Sequence, residues 1–252
     1  MSEIVIDSIK VRYMRYGDHG RDVLLLHGWG QNLEMMAYIA AFLSKDFKVT
    51  SLDLPGFGKS EEPYRAFSVE DYSEWLRKFN EALDIKEPII IAHSFGCRIS
   101  FHYAYKYPVR RMCLTGAAGL KESHGPLWYL RTYAYKAAKK VLSIGPFKPL
   151  LRKLQDNVGS ADYKSAKGIM RETFVKVVND DVKDLLPRID VETLLVFGDK
   201  DEATPLSQGK MMEKLLPDSA LVVFEGADHY AYFYEAERFN RVLAAFLKRD
   251  IL

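Results

Sequence analysis

Ser94, Asp201, His229 and the run His27-Gly28-Trp29-Gly30 are chemically capable residues that stand directly after short apolar runs. Ser94 has the most informative surroundings. Pro88-Ile89-Ile90-Ile91 reads as a strand buried on both faces, and a helical pattern of Cys97, Ile99, Phe101, Ala104 and Tyr105 follows at once. Ala92, Ser94 and Gly96 between them are small. A strand that turns sharply into a helix with serine at the corner has the pattern of a nucleophile elbow. The tight turn strains the serine backbone, so the positions two before and two after it must be small. The hydroxyl then stands at the carboxyl end of a strand, beside the positive end of a helix. The usual spacing is G-x-S-x-G, and here Ala92 fills the first position. Taken alone, the stretch also fits a strand–turn–helix junction with an incidental serine.

The elements that must position these residues share one rhythm. Residues 3–16 alternate loosely and read as a hairpin or two edge strands, closed by the turn Asp18-His19-Gly20. Val23–Leu26, Phe47–Leu52, Ile89–Ile91, Arg111–Thr115, Thr193–Phe197 and Ala220–Phe224 read as strands. Met35–Leu43, the stretch from Ser68 to about Leu83, Pro205–Leu216 and Glu235–Lys248 read as helices. Ser68-Val69-Glu70-Asp71 resembles a capping box with aspartate in place of Glu or Gln. Strands alternating with helices imply an α/β protein with a mostly parallel, doubly wound sheet. Ligand sites of such sheets lie at the carboxyl ends of the strands, where all four candidate stretches fall. From about Leu120 to Leu186 the β rhythm stops, so residues 1–119 and 187–252 are expected to form the core and 120–186 an inserted helical cap.

Composition excludes several classes. The chain has 252 residues, 48% of them hydrophobic, enough for a substantial core. A net charge of +2 makes no global case for nucleic acid. No apolar run approaches a membrane span, and the first residues lack the pattern of a signal peptide, so no membrane insertion and a cytoplasmic location are the expectations. Cys97 and Cys113 stand in apolar contexts and read as reduced core residues. No histidine belongs to a metal pattern such as H-E-x-x-H, so neither metal nor cofactor is expected.

Five motifs together carry a resemblance: His27-Gly28-Trp29-Gly30, Asp53-Leu54-Pro55-Gly56-Phe57-Gly58-Lys59-Ser60, Ala92-His93-Ser94-Phe95-Gly96, Gly198-Asp199-Lys200-Asp201 and Gly226-Ala227-Asp228-His229. In this order and spacing they make the chain similar to the α/β-hydrolase fold superfamily, of the compact bacterial esterase type with a helical cap. The resemblance spans nearly the whole chain. It implies a serine hydrolase acting on a small or medium carboxylic ester through an acyl-enzyme. Ser94 would be nucleophile, His229 its base, and Asp201 the anion that orients the histidine. Asp199 is the alternative acid, with a turn role as its simpler reading, and Asp228 reads as a loop carboxylate. By the same resemblance the backbone N–H groups of Trp29 and Phe95 would form the oxyanion hole, and serine at the elbow disfavours the dehalogenase and epoxide-hydrolase relatives, which use aspartate.

The remaining readings stay open at this stage. Hydrolysis of carbon–carbon bonds, lactone opening, peracid formation and non-catalytic ligand binding all fit the same scaffold. His27 and His93 read as structural hydrogen-bonding residues, and Asp53 as structural. Between Lys121 and Lys176 there are twelve Lys/Arg and four Asp/Glu, an excess that would steer an anionic substrate or simply keep the insertion solvated. Trp29, Trp128 and Tyr129 are candidate substrate contacts. Trp128 and Tyr129, with Tyr133, Tyr135, Phe147 and Tyr163, would roof a pocket or form the cap's own core.

Overall fold

Short β-branched and leucine-rich runs become strands, and the amphipathic stretches between them become helices. A computed structural model describes residues 2–121 and 161–251. Its strands are β1 (Ser2–Ile6), β2 (Ile9–Tyr16), β3 (Asp22–Leu26), β4 (Lys48–Leu52), β5 (Ile89–His93), β6 (Arg111–Thr115), β7 (Thr193–Gly198) and β8 (Ser219–Phe224). The helices are α1 (Ala37–Leu43), α2 (Val69–Ala82), α3 (Phe95–Lys106), α4 (Ala161–Ser165), α5 (Gly168–Val178), α6 (Leu206–Leu215), α7 (Ala231–Tyr234) and α8 (Ala236–Leu247). A 3-10 turn over Leu33–Met36 precedes α1, and the expected C-terminal helix is preceded by the separate short turn of α7.

The strands form one sheet in the order β1-β2-β4-β3-β5-β6-β7-β8. β2 runs antiparallel to both β1 and β4, and every pairing from β4 through β8 is parallel. β5 is central and wholly buried, which explains its unbroken Ile89-Ile90-Ile91-Ala92 run. One face packs against Tyr72, Trp75 and Phe79 of α2 and Ile99 and Phe101 of α3. The other packs against Ile39 and Leu43 of α1 and Phe239, Leu243 and Leu247 of α8. Of the region expected to be an insertion, Met170 and Val177 of α5 and the following Val182 join the first of these clusters. Trp128, Tyr129, Tyr133, Tyr135 and Phe147 lie outside the described residues.

Two polar devices hold the loops in shape. Ser68 caps α2: its hydroxyl accepts the Asp71 N–H, and the Asp71 carboxylate accepts the Ser68 N–H in return, so aspartate does complete the box. The same carboxylate binds Arg65, which, opposed by burial, brings its pKa down to about 2. Asp53, at the end of β4, is fully buried and accepts from Arg12 Nε (2.6 Å), Leu33 N (2.8 Å) and Lys59 N (2.8 Å). Gly58 must be glycine beside it: its φ is +57°, and a Cβ would lie 2.3 Å from the Asp53 carboxylate.

Asp53→Ala should lower stability by about 3 kcal/mol in urea unfolding, because Arg12 Nε and the Leu33 and Lys59 amides lose their buried acceptor, while Arg12 keeps only the half-exposed Glu34 carboxylate. For Asp71 the folded carboxyl is depressed, so its contribution is full above its ordinary value near 3.8 and is lost as pH falls toward about 2. Asp71→Asn should therefore cost roughly 1 kcal/mol at neutral pH, with the gap to the parent protein closing between those two values.

Candidate active site

The site is built at the carboxyl edge of the sheet, where β5 passes into α3. Ser94 sits at that corner with φ +50° and ψ −106°. A non-glycine residue held there stores on the order of 1–3 kcal/mol of strain, sustained by its surroundings. Its N–H donates to Thr115 O of β6 (3.1 Å), and its C=O accepts from Cys97 N (3.0 Å). The small-residue requirement is visible at Gly96, where a Cβ would lie 2.6 Å from Leu26 O. Ala92 meets no such obstacle. It is an ordinary strand residue with its methyl in the core, so alanine in the first motif position fits.

The loop after β7 carries Asp201, and the loop after β8 carries His229. Gly198 lets these loops meet, since a Cβ there would lie 2.2 Å from Ala227 O. Lys200 N also donates to Ala227 O (2.9 Å). His229 Nδ1 lies 2.7 Å from Asp201 Oδ2. Facing a carboxylate, Nδ1 carries the proton and donates it, which leaves Nε2 free of one. Asp201 also accepts from Ala203 N, Thr204 N and Thr204 Oγ1. Burial opposes its charge, but His229 and the Thr204 amide outweigh burial and hold the carboxyl below its usual range. The rival acids are engaged elsewhere: Asp199 Oδ1 accepts from Gly226 N and Asp228 Oδ1 from Tyr230 N.

Ser94 and His229 line one cavity of about 610 Å³, together with Gly28, Trp29, Gln31, His93 and Phe95. No hydrogen bond joins Ser94 to His229 among the described residues. Phe174, Val177 and Val178 of α5 close one side, and Arg98, Asp162 and Thr204 add polar groups. The Trp29 ring packs edge-on against Phe57, Phe95 and Phe174, with centroids 4.8, 5.3 and 5.0 Å away. The Phe95 N–H belongs to the first turn of α3, where amides lack intrahelical partners. The Gly28 N–H is taken by Gln31 Oε1 (3.0 Å), which shapes the turn that presents Trp29. A larger surface hollow of about 970 Å³ lies at the amino ends of the strands, beside Arg21, Asn80, Lys86 and Pro108, remote from these groups.

His27 and His93 behave as structural groups. His27 Nδ1 donates to Gly28 O (2.7 Å) and Nε2 accepts from Leu54 N (3.0 Å), so the ring ties β3 to β4. Burial lowers its pKa to about 4. His93 Nδ1 donates to Thr115 O (3.1 Å), and burial lowers its pKa to about 3. Its ring lies 4.6 Å from that of His229 and therefore backs it as a neutral group. Cys97 and Cys113 are buried free thiols, the latter pushed up to about 12 by burial. Sequence reasoning missed Thr204, Gln31, Arg98 and Asp162. Only Thr204 left a local trace, the D-x-x-T spacing by which a hydroxyl returns to a carboxylate.

A family model for the alpha/beta hydrolase fold matches residues 23–236. The chain is 27% identical over 259 residues to a pimeloyl-[acyl-carrier protein] methyl ester esterase of Neisseria meningitidis, covering 92% of this chain and 95% of that one. It superposes on an esterase from Exiguobacterium antarcticum with a TM-score of 0.76 at 22% identity, covering 98% of this chain and 99% of that one. A meta-cleavage product hydrolase from Pseudomonas fluorescens gives 0.75 at 22% identity, covering 99% and 98%. With the elbow, the sheet order and the family match in agreement, this chain belongs to the alpha/beta hydrolase fold family.

Proposed function

We propose that this protein is a serine hydrolase that cleaves a small or medium carboxylic ester through an acyl-enzyme. The observation that carries the reading is the 2.7 Å Asp201–His229 pair, set in the wall of the cavity that also holds the strained Ser94. A serine hydroxyl is a weak nucleophile at neutral pH and needs a base. In this reading His229 Nε2 takes the Ser94 proton as Oγ attacks the ester carbonyl. Asp201 holds the ring in the required tautomer and stabilises the imidazolium that forms. The Phe95 and Trp29 N–H groups receive the oxyanion, each worth about 3–4 kcal/mol to the transition state. His229 then donates its proton to the departing alkoxide, and water repeats the sequence on the acyl-enzyme. Residues 120–186 serve as the cap that selects the substrate, with Trp29 and the inner side of α5 as its apolar wall. Support from relatives is that curated and structural neighbours include esterases. A meta-cleavage product hydrolase is also among the structural neighbours, and hydrolysis of a carbon–carbon bond by this chain would draw on the same groups.

Ser94→Ala should abolish hydrolysis of p-nitrophenyl butyrate, by about 10⁴-fold or more, with an unchanged melting temperature. A fluorophosphonate probe should add once per chain, map to Ser94, and fail to add in His229→Ala. Retained activity without Ser94 would falsify the reading. Thr204→Val should lower kcat roughly tenfold, since Asp201 loses one charge-assisted hydrogen bond, with KM little changed.

A further inference from the structure

Arg98 is the unexplained cation of this site. It lies in the first turn of α3, four residues beyond the Ser94 that precedes the helix, and both line the same cavity. Its side chain is 12% exposed and lines the Ser94 cavity. Nη1 donates to Asp180 O (2.9 Å), its one hydrogen bond among the described residues. The nearest carboxylate oxygen, Asp180 Oδ2, is 4.0 Å away, and that carboxylate is already shared with His102 Nε2 at 3.1 Å from both oxygens. The guanidinium thus has N–H donors in hand at the cavity wall. Burial lowers its pKa, offset in part by Asp180 and Asp181. Asp162 also lines this cavity, no ion pair joins it to Arg98 among the described residues, and burial weakens its charge by raising its pKa.

A buried, under-partnered guanidinium is stabilised most by a carboxylate, which matches its fork with two parallel hydrogen bonds. The cavity that Arg98 and Ser94 share is also lined by Phe95, Phe174, Val177 and Val178, which suits a short methylene chain. We propose that Arg98 is a specificity-determining residue that binds a carboxylate at the far end of the acyl group, making half-esters of short dicarboxylic acids the preferred substrates. This rests on the serine-hydrolase reading above. The acyl group is the part concerned because it stays bonded to Ser94 beside α3, whereas the alcohol must leave toward His229, which protonates it. A spacer of roughly two to four methylenes spans one helical turn.

The test compares kcat/KM at neutral pH for monoethyl glutarate and its uncharged isostere, ethyl 5-methylhexanoate. The parent protein should favour the half-ester by about tenfold or more, and Arg98→Gln should erase that preference, chiefly through KM. Arg98→Lys, which keeps the charge but not the fork, should fall between them. Melting temperatures check that each variant is folded. Equal losses on both esters would overturn the proposal and leave Arg98 as a tie between α3 and Asp180, as would a parent preference for the neutral ester. Calorimetric titration of Ser94→Ala with monoethyl glutarate separates the two readings. Binding lost on adding Arg98→Gln, with no turnover of either ester by the parent, would retain the carboxylate site and sink the hydrolase. Absence of both binding and turnover overturns the two together.

Discussion

The approach of the first turn of α3 to the end of β3 is the constraint on which the site depends. With no side chain, Gly96 lets the helix begin against Leu26 O, where a Cβ would stand only 2.6 Å away. The chain can make that turn only if the residue before the helix takes a left-handed backbone, and Ser94 does so. The Ser94 amide is held by Thr115 of the neighbouring strand. The strain is local, and a fully buried central strand with partners on both sides sustains it. What results is a hydroxyl that faces a cavity with the positive end of a helix beneath it.

The second half of the site obeys the same principle of close backbone contact. Gly198 lets the loop after β7 lie against the loop after β8, and Asp201 and His229 meet because the Lys200 N to Ala227 O hydrogen bond ties the two loops there. Thr204 then donates to the same carboxylate oxygen that receives His229. Four donors converge on Asp201, so a carboxylate with 5% exposure stays charged in a setting that would otherwise neutralise it. His93 contributes the opposite property: buried and neutral, it can stand against His229 without adding charge.

Legibility varied with the range of the interaction. The Ser68–Asp71 box is local in the chain, and it reads correctly even with aspartate in the last position. Asp53 reads as structural because a carboxylate after a strand and before glycines has amides to bind, and it does. Choosing between Asp199 and Asp201 required the resemblance, because both lie after the same strand. The fold separates them by giving Asp199 to Gly226 N and Asp201 to His229. Arg98 is invisible in the sequence as a site residue. An arginine in a helix reads as solvated, and only burial against Asp180, 82 residues away, shows otherwise.

By itself the sequence determined the element types of the described core, the strand–turn–helix corner at Ser94 and the presence of three chemically capable side chains at strand ends. These follow from apolar periodicity, small-residue spacing and loop chemistry, all of which act over a few neighbouring residues. The tertiary structure alone decided the strand order, with β3 and β6 flanking β5, and hence which loops share a cavity. It also decided which carboxylate meets His229 and that Arg98 and α5 border the site. Those outcomes depend on packing between residues distant in the chain, where the close approach of two backbones selects the partners.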